Sequence, residues 1–304
     1  PEDINFFIID YKGGGMGDAL ADLPHCSGII SNLSGRQIKR ALLSIKSENL
    51  RRQRMLSKHK VSHIEEYKEL YLEGLAEEPL PHLLVVVDEF AELKKEEPEF
   101  MQEIISVSQV GRSLGVHLIL ATQKPAGCVD DKIWSNTRFR LCLRVADKQD
   151  STDMLHRPEA AFLTGAGKGY LQVGNDELFL LFQAGYCKAT YQPGVKNQRA
   201  TALVSVTGRR LSIKKEKSQK QKKQLECVRE YLKATARDGG YQNARELWMP
   251  ELLEQLTLKD VAECDKGVCI GLCDDPGRQR QYPVFYRPER DGHLCLCGGP
   301  ATGK

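Results

Sequence analysis

The chain has 304 residues, of which 41% are hydrophobic and 28% are charged; this is ordinary for a soluble globular protein with room for a large core and two domains. Its formal net charge of +3 is too small to indicate nucleic acid or a membrane surface as a partner by itself. No apolar run approaches the roughly 20 residues that a bilayer-spanning helix needs and no signal peptide opens the sequence, so we expect a cytosolic location for these residues.

The ten cysteines form no recognisable metal or disulfide pattern. The five between residues 264 and 297 contain no C-x-x-C pair and have no histidine at zinc-finger spacing. Cys142 lies in an apolar run, where a thiol behaves as a small hydrophobic side chain. We therefore predict neither a zinc site nor a disulfide framework.

The sequence begins with a predicted buried strand at residues 5–10 that ends in the carboxylate of Asp10. Gly13, Gly14 and Gly15 follow in a turn that permits unusual backbone angles. This run lacks the G-x-x-x-x-G-K-[ST] spacing of a phosphate-binding loop. We interpret it as a loop that lines a site.

A helix is predicted from an N-cap at Ser34 to about residue 57, because its apolar residues share one face. Three arginines, Arg51, Arg52 and Arg54, crowd its end. We interpret them as a solvated helix face or as favourable partners of the helix dipole rather than as phosphate ligands. Charged, proline-interrupted sequence from residue 58 to residue 81 follows.

The run at residues 83–87 is apolar and rich in β-branched residues, which predicts a central strand buried on both faces. Asp88 and Glu89 close it. In nucleotide hydrolases the first carboxylate of such a pair acts on Mg²⁺ and the second polarises the attacking water. The alternative is a buried strand that reaches solvent at an acidic turn.

After an expected acidic loop, a helix is predicted at about residues 99–112 and a buried strand at residues 116–122. The order strand, helix, strand favours parallel strands. Asp10, Asp88 and Gln123 then lie at or just beyond the carboxyl ends of parallel strands, where open sheets bind ligands. From there Gln123 would sense a γ-phosphate or orient water.

A further strand is predicted at residues 135–145, with Phe139, Leu141 and Leu143 on one face and arginines on the other. Arginines on such a face are usually solvated, but in a ring-forming ATPase one of them would reach the neighbour's γ-phosphate. A β-hairpin at residues 168–182 closes this domain near residue 207. The basic run at residues 214–223 is interpreted as a linker rather than a phosphate contact.

The sequence ends in a predicted strand at residues 292–297 and the G-x-x-x-x-G-K match at residues 298–304. A phosphate loop normally precedes the acidic strand of its own sheet, whereas here it follows. Circular permutation would explain this order. A tandem array is simpler, and it predicts an ATPase domain at 1–207 without its own phosphate loop, a basic linker at 208–224 and the N-terminal part of a second such domain at 225–304. No complete nucleotide site is then expected.

Four motifs lie along the predicted strands and their ends: I-I-D-Y-K at 8–12, V-V-D-E-F-A-E-L at 86–93, G-R-S-L-G-V-H-L-I-L-A-T-Q-K-P at 111–125 and S-N-T-R-F-R at 135–140. They resemble those of the FtsK/SpoIIIE motor ATPases, and the tandem order resembles the EssC/EccC branch, which serves type VII secretion systems. The resemblance implies an α/β, RecA-like P-loop NTPase fold with a mostly parallel sheet, and ATP and Mg²⁺ as cofactors.

The resemblance also implies residue roles. These are Asp88 for Mg²⁺, Glu89 as the catalytic carboxylate, Gln123 as the γ-phosphate sensor, Arg140 (or else Arg138) as a finger acting on the neighbouring subunit, and Gly298, Gly299, Gly303 and Lys304 in the next domain's phosphate loop.

The implied function is a motor that couples ATP hydrolysis to export of small helical-hairpin proteins. The implied partners are other copies in a hexameric ring, the exported proteins and membrane secretion-channel subunits, at the cytoplasmic face of a bacterial membrane. A DNA translocase of the same fold is one alternative, with DNA as partner. Another is a non-hydrolysing module that binds substrate or regulates a neighbouring domain.

Overall fold

The computed structural model describes residues 1–11, 13, 17, 19–31, 35–125, 127, 131–174, 177–191, 205–208, 222–249, 251–253, 255–257 and 267–299. Gly303 and Lys304, and residues 214–221 of the predicted linker, lie outside these described residues. The contacts within the chain divide it into two compact units, which are described separately.

A four-stranded parallel sheet forms the first part of one unit, with the strand order β2-β1-β3-β4. Its elements are β1 (Ile4–Asp10), β2 (Cys26–Ser31), α1 (Gly35–Lys58), α2 (Ile64–Leu72), β3 (His82–Asp88), α3 (Phe90–Glu96), α4 (Pro98–Gly111) and β4 (Val116–Leu120). The predicted parallel arrangement is confirmed. The expected acidic loop after Phe90 is wrong, because α3 forms there. The charged, proline-interrupted segment at residues 58–81 contains α2.

The acidic strand β3 lies between β1 and β4, as predicted for a central strand. Leu83, Val85 and Val87 are fully buried on one face, while the residues between them are only partly buried. In β1, by contrast, Phe7, Ile8 and Ile9 are all buried. The predicted burial of β3 on both faces is therefore only partly correct, whereas β1 is buried on both faces.

The predicted solvation of the arginines in α1 is wrong for Arg52, which is 2% exposed. Its Nε donates to Glu48 Oε1 at 2.8 Å and its Nη1 donates to the carbonyl of Leu114 at 2.9 Å. Arg51 donates twice more to Glu48. Burial alone raises the pKa of Glu48, but the hydrogen bonds of Arg51 and the charge of Arg52 outweigh it and lower the pKa. Through the carbonyl of Leu114, Arg52 connects α1 to the segment before β4, whereas Arg51 bonds within α1.

The same unit includes residues 244–304. Here β8 (Val268–Asp275) and β9 (Arg280–Tyr286) form an antiparallel hairpin, followed by α8 (Pro288–Asp291). The strand predicted at residues 292–297 is wrong: these residues form no strand, since no described strand pairs with them.

Contacts with α1 explain why this late segment packs in the first unit. Arg40 donates through Nε and Nη2 to the carbonyl of Met249, at 3.1 and 2.9 Å, and forms an ion pair with Asp274. Gln279 donates to the carbonyl of Ser44 at 2.9 Å. The N–H of Leu247 donates to Ser27 in β2.

The other unit comprises residues 1, 22–24 and 122–243. Its elements are α5 (Asp131–Asn136), β5 (Phe139–Leu143), α6 (Lys148–Leu155), β6 (Lys168–Val173), β7 (Leu178–Gln183) and α7 (Gln224–Asp238). The three strands form an antiparallel sheet, and the predicted hairpin is β6–β7. The strand predicted at 135–145 is shorter than expected, because α5 occupies its first residues.

The packing units do not follow the predicted boundaries at residues 207 and 224. Helix α7 groups with the antiparallel sheet, and residues from 244 onward group with the parallel sheet. Units defined by packing are not sequence domains, so the division 1–207, 208–224 and 225–304 stays a prediction. No helix among the described residues combines the length and apolar character needed to cross a membrane.

Candidate functional site

Two carboxylates end neighbouring strands at the same edge of the parallel sheet. Asp10 is the residue paired with Asp88 across β1 and β3, and Asp10 is also paired with Ser31 in β2. Adjacent strands are about 4.8 Å apart, so these side chains begin close together. Carboxylate and hydroxyl oxygens are the ligands that Mg²⁺ prefers, so this donor set fits that ion.

Glu89 follows Asp88 in a left-handed backbone conformation, with φ 53° and ψ 42°, at the N-cap position of α3. Such a conformation costs a non-glycine residue about 1–3 kcal/mol. Glu89 is nevertheless 6% exposed, and its N–H donates to Asp88 Oδ1 at 3.0 Å. The turn keeps the second carboxylate buried beside the first instead of releasing it to solvent.

The backbone of Ala121 fixes the end of β4 beside this turn. Its N–H donates to the carbonyl of Val87 at 2.9 Å, and its own carbonyl accepts the N–H of Phe90 at 3.0 Å. The chain therefore leaves β4 at the acidic edge of the sheet. Sequence patterns predicted the two acids and this edge, but not the strained turn or α3.

Gln123 and the candidate finger arginines belong to the other unit. Gln123 is exposed, directly after Thr122, whose Oγ1 accepts the N–H of Lys124 at 3.2 Å. An exposed amide is accessible to a ligand.

The predicted faces of β5 are inverted. Arg140 and Cys142 are buried, whereas Phe139 is 67% exposed and Leu141 and Leu143 are about half exposed. Cys142 packs in a small core with Leu155 and Ala160. The prediction that the arginine face is solvated is therefore wrong for Arg140.

Arg140 is buried under an aromatic ring. Its guanidinium carbon lies 3.9 Å from the ring centroid of Trp134 in α5, and its burial lowers its pKa. Arg138 has a side chain that is 61% exposed and pairs with Glu177 at 2.6 Å. Of the two finger candidates, only Arg138 is at the surface in this conformation. Sequence reasoning missed Trp134, which sits in a segment assigned partly to the strand.

The described part of the phosphate-loop match is limited to Gly298 and Gly299, which are both exposed. Gly303 and Lys304 lie outside the described residues, so their placement in a cradle stays a prediction. The residue types fit phosphate binding, because glycines leave backbone N–H groups open and the lysine supplies a positive charge.

Comparison with known proteins gives a consistent family. The sequence model of the FtsK/SpoIIIE family matches residues 1–127. The type VII secretion system protein EssC of Staphylococcus aureus (strain NCTC 8325 / PS 47) is 41% identical over 100% of this chain and 22% of that protein. The ESX secretion system protein EccC of Geobacillus thermodenitrificans (strain NG80-2) is 42% identical over 100% of this chain and 21% of its own length. The chain thus spans about a fifth of these relatives.

Solved structures of type VII secretion ATPases also resemble this chain. The cytoplasmic domain of the Thermomonospora curvata type VII secretion ATPase EccC matches with a TM-score of 0.74 and 25% identity, over 93% of this chain and 32% of that one. EssC (ATPases 2 and 3) from Geobacillus thermodenitrificans has a TM-score of 0.64 at 17% identity, over 93% of this chain and 48% of that one, and shows the fold alone. The parallel sheet with its helices is that of an α/β P-loop NTPase. Residues 1–127 thus match the FtsK/SpoIIIE family, and the chain as a whole is similar to the EssC and EccC proteins.

Proposed function

We propose that the chain is part of an ATP-driven motor of a type VII secretion system, which couples ATP binding and hydrolysis to the export of small helical proteins. The observation that carries the proposal is the acidic edge, where Asp10 and Asp88 are paired across parallel strands and Glu89 is held buried in a strained turn. The names of the relatives supply the secretion context. One solved relative is an EccC in complex with a signal sequence peptide, which supports an exported protein as partner.

In this proposal Asp88 holds Mg²⁺, with Asp10 and Ser31 as neighbouring oxygen donors. When bound, the ion neutralises charge on the phosphates. Glu89 accepts a hydrogen bond from the attacking water and orients it. Gln123 donates to the γ-phosphate or to that water, and Lys304 with its glycines serves a second nucleotide site in the next domain.

An arginine of the 138–140 segment would complete the site of a neighbouring subunit in a ring. Exposure now favours Arg138, while Arg140 requires a rearrangement to reach out. The ring, the secretion-channel partners and the location at the cytoplasmic face of the membrane belong to this proposal and are supported by the family resemblance.

Glu89→Gln in the full-length protein tests the proposal. We expect ATP turnover to fall by about 100-fold or more and export to fall with it, since one positioned acid–base group contributes about 10²–10⁴-fold. The matched control is Glu92→Gln, an exposed carboxylate on the same helix, which should leave both unchanged. Normal export with Glu89→Gln would instead favour the non-hydrolysing module. Turnover that rises with duplex DNA and is lost at high salt would favour the DNA translocase.

A further inference from the structure

The guanidinium of Arg140 is unusual because it is buried and has no anionic partner among the described residues. Arg140 is 6% exposed, and its Nε and Nη1 have no hydrogen-bond acceptor among the described residues. A desolvated, unpaired charge is costly. The contact that compensates it in the described structure is the face of the Trp134 ring.

Trp134 does not belong to the antiparallel sheet whose charge it covers. It lies on α5, a helix of six residues that ends where Thr137 Oγ1 donates to the carbonyl of Ile133 at 2.7 Å. Its ring also contacts the ring of His156, with 5.1 Å between centroids. Across the sheet, the residue paired with Arg140 is Gln172, a neutral amide. Movement of α5 would uncover the guanidinium without breaking the strand pairing of β5.

We propose that Trp134 is a positioning residue that stores the Arg140 guanidinium under its ring, and that Arg140 leaves this position to bind a phosphate oxyanion. The stored state keeps two N–H donors unused, so an oxyanion gains two strong, charge-assisted hydrogen bonds when it draws the arginine out. The cation–π contact holds the stored state, so a weaker aromatic face releases Arg140 more readily.

This inference rests on the proposed function only for the source of the oxyanion, which is either the terminal phosphate of a neighbour's nucleotide or free phosphate. The storage itself is a property of Trp134 and Arg140. One experiment tests the storage of Arg140, and a separate experiment tests the source of the oxyanion.

The storage is tested by modification of arginines with phenylglyoxal in the full-length protein, followed site by site by mass spectrometry. Exposed Arg144 and buried Arg52 are internal references in the same sample. In the unaltered protein Arg140 should react slowly, like Arg52. In Trp134→Leu its rate should rise by about 2- to 30-fold, the range that a cation–π contact supports. Trp134→Phe, which keeps a weaker aromatic face, should give a smaller rise.

Two results overturn the storage: a rate for Arg140 equal to that of Arg144 in the unaltered protein, or no change in Trp134→Leu. The buried thiol of Cys142 reports folding of the same unit. If the Cys142 thiol becomes reactive in Trp134→Leu, that variant has lost its packing. The storage is then tested with Trp134→Phe, whose ring preserves the packing.

ATP turnover identifies the source of the oxyanion. If Arg140 is the finger, Trp134→Leu raises turnover or lowers the ATP concentration at half-maximal rate, and adding Arg140→Ala abolishes the gain. A purely structural tryptophan would lower turnover when replaced. A faster modification of Arg140 without any change in turnover overturns the finger role of Arg140, assigns that role to Arg138 and leaves the storage standing. Inorganic phosphate added without nucleotide should then still speed the modification by drawing Arg140 out.

Discussion

The backbone of Glu89 adopts a left-handed conformation that glycine tolerates far better than other residues. We therefore expect Glu89→Gly to be more stable than Glu89→Ala by about 1 kcal/mol, although both remove the carboxylate. Urea denaturation of the two variants measures the difference. Glu92→Gly and Glu92→Ala, within the following helix, should show the opposite order. Equal stabilities at position 89 would contradict strain at this turn.

The thiol of Cys142 gives a pH-dependent prediction. Burial, and to a lesser degree the charge of Asp150, raises the pKa of Cys142 to about 11. Below that pH the thiol stays protonated, so at pH 8 only about one molecule in a thousand carries the reactive thiolate. Iodoacetamide should label exposed Cys187 first, and labelling of Cys142 should increase as the pH approaches 11. Similar rates at pH 8 in the folded protein would show that Cys142 is not buried; similar rates in denaturant are expected.

At single residues, the sequence predicted the acidic pair because strand length and apolar pattern locate the end of β3. It did not predict the burial of Arg140. Alternation in β5 shows that two faces exist, but which face is buried depends on Trp134, six residues earlier, whose ring covers a charge. Periodicity carries no information about such a contact.

Arg40 connects α1 to the hairpin β8–β9, and the side chains of Arg40 and Asp274 are only 10% and 18% exposed. The hydrogen bond from Arg40 is the largest of the causes that lower the pKa of Asp274, and the hydrogen bond from Gln281 and then the charge of Arg40 lower it further. Because the pKa of Asp274 is lower in the folded state than in the unfolded state, this pair contributes to the free energy of unfolding above about pH 4. The contribution is lost as the pH falls below that value. Arg40→Met should weaken hairpin docking by about 1–3 kcal/mol and speed amide hydrogen exchange in β8 and β9.

Lys46→Met is the matched control for Arg40→Met. Lys46 lies on the same helix and pairs with Glu103, but both side chains are almost half exposed. Exposed pairs contribute about 0–1 kcal/mol, so exchange in the hairpin should not change. Equal exchange in the two variants would mean that Arg40 does not hold the hairpin.

Helices and strands with clear periodicity were predictable, including β1, β3, α4 and the hairpin β6–β7. Helix α3 was not, because four of its seven residues are charged and so charged a composition resembled a loop. The strand expected at residues 292–297 failed for another reason. An apolar run becomes a strand only when another strand is available to pair with it, and that depends on tertiary structure rather than on local sequence.

Over the whole molecule, sequence order and packing disagree. The basic composition of residues 214–223 indicates a linker, yet residues on its far side pack against α1. Composition can mark where a chain is weakly structured. It cannot show which surface a later segment covers, since Arg40 and Ser44 are more than 200 residues away from their partners.

The tandem arrangement makes a prediction for the full-length protein. If Lys304 and the acidic pair serve separate sites, Lys304→Ala should remove one bound nucleotide per chain and leave the site of Glu89 occupied. Equilibrium binding of labelled ATP gives the count. Glu89→Gln should leave the count unchanged, because it alters hydrolysis rather than phosphate binding. Loss of nucleotide at the acidic pair in Lys304→Ala would favour a single, circularly permuted site.

The pairing of β1 with β3 also sets where this molecule tolerates changes of length. Seven consecutive residue pairs run from Ile4 and His82 to Asp10 and Asp88. Side chains alternate between faces, so deleting one residue inside β1 would turn Asp10 away from Asp88 or shift every apolar residue before it. A deletion between β1 and β2 does not alter the register of the β1–β3 pairing. The lengths of β1 and β3 thus determine whether Asp10 and Asp88 meet at the acidic edge, so changes of length are tolerated better between the strands than within them.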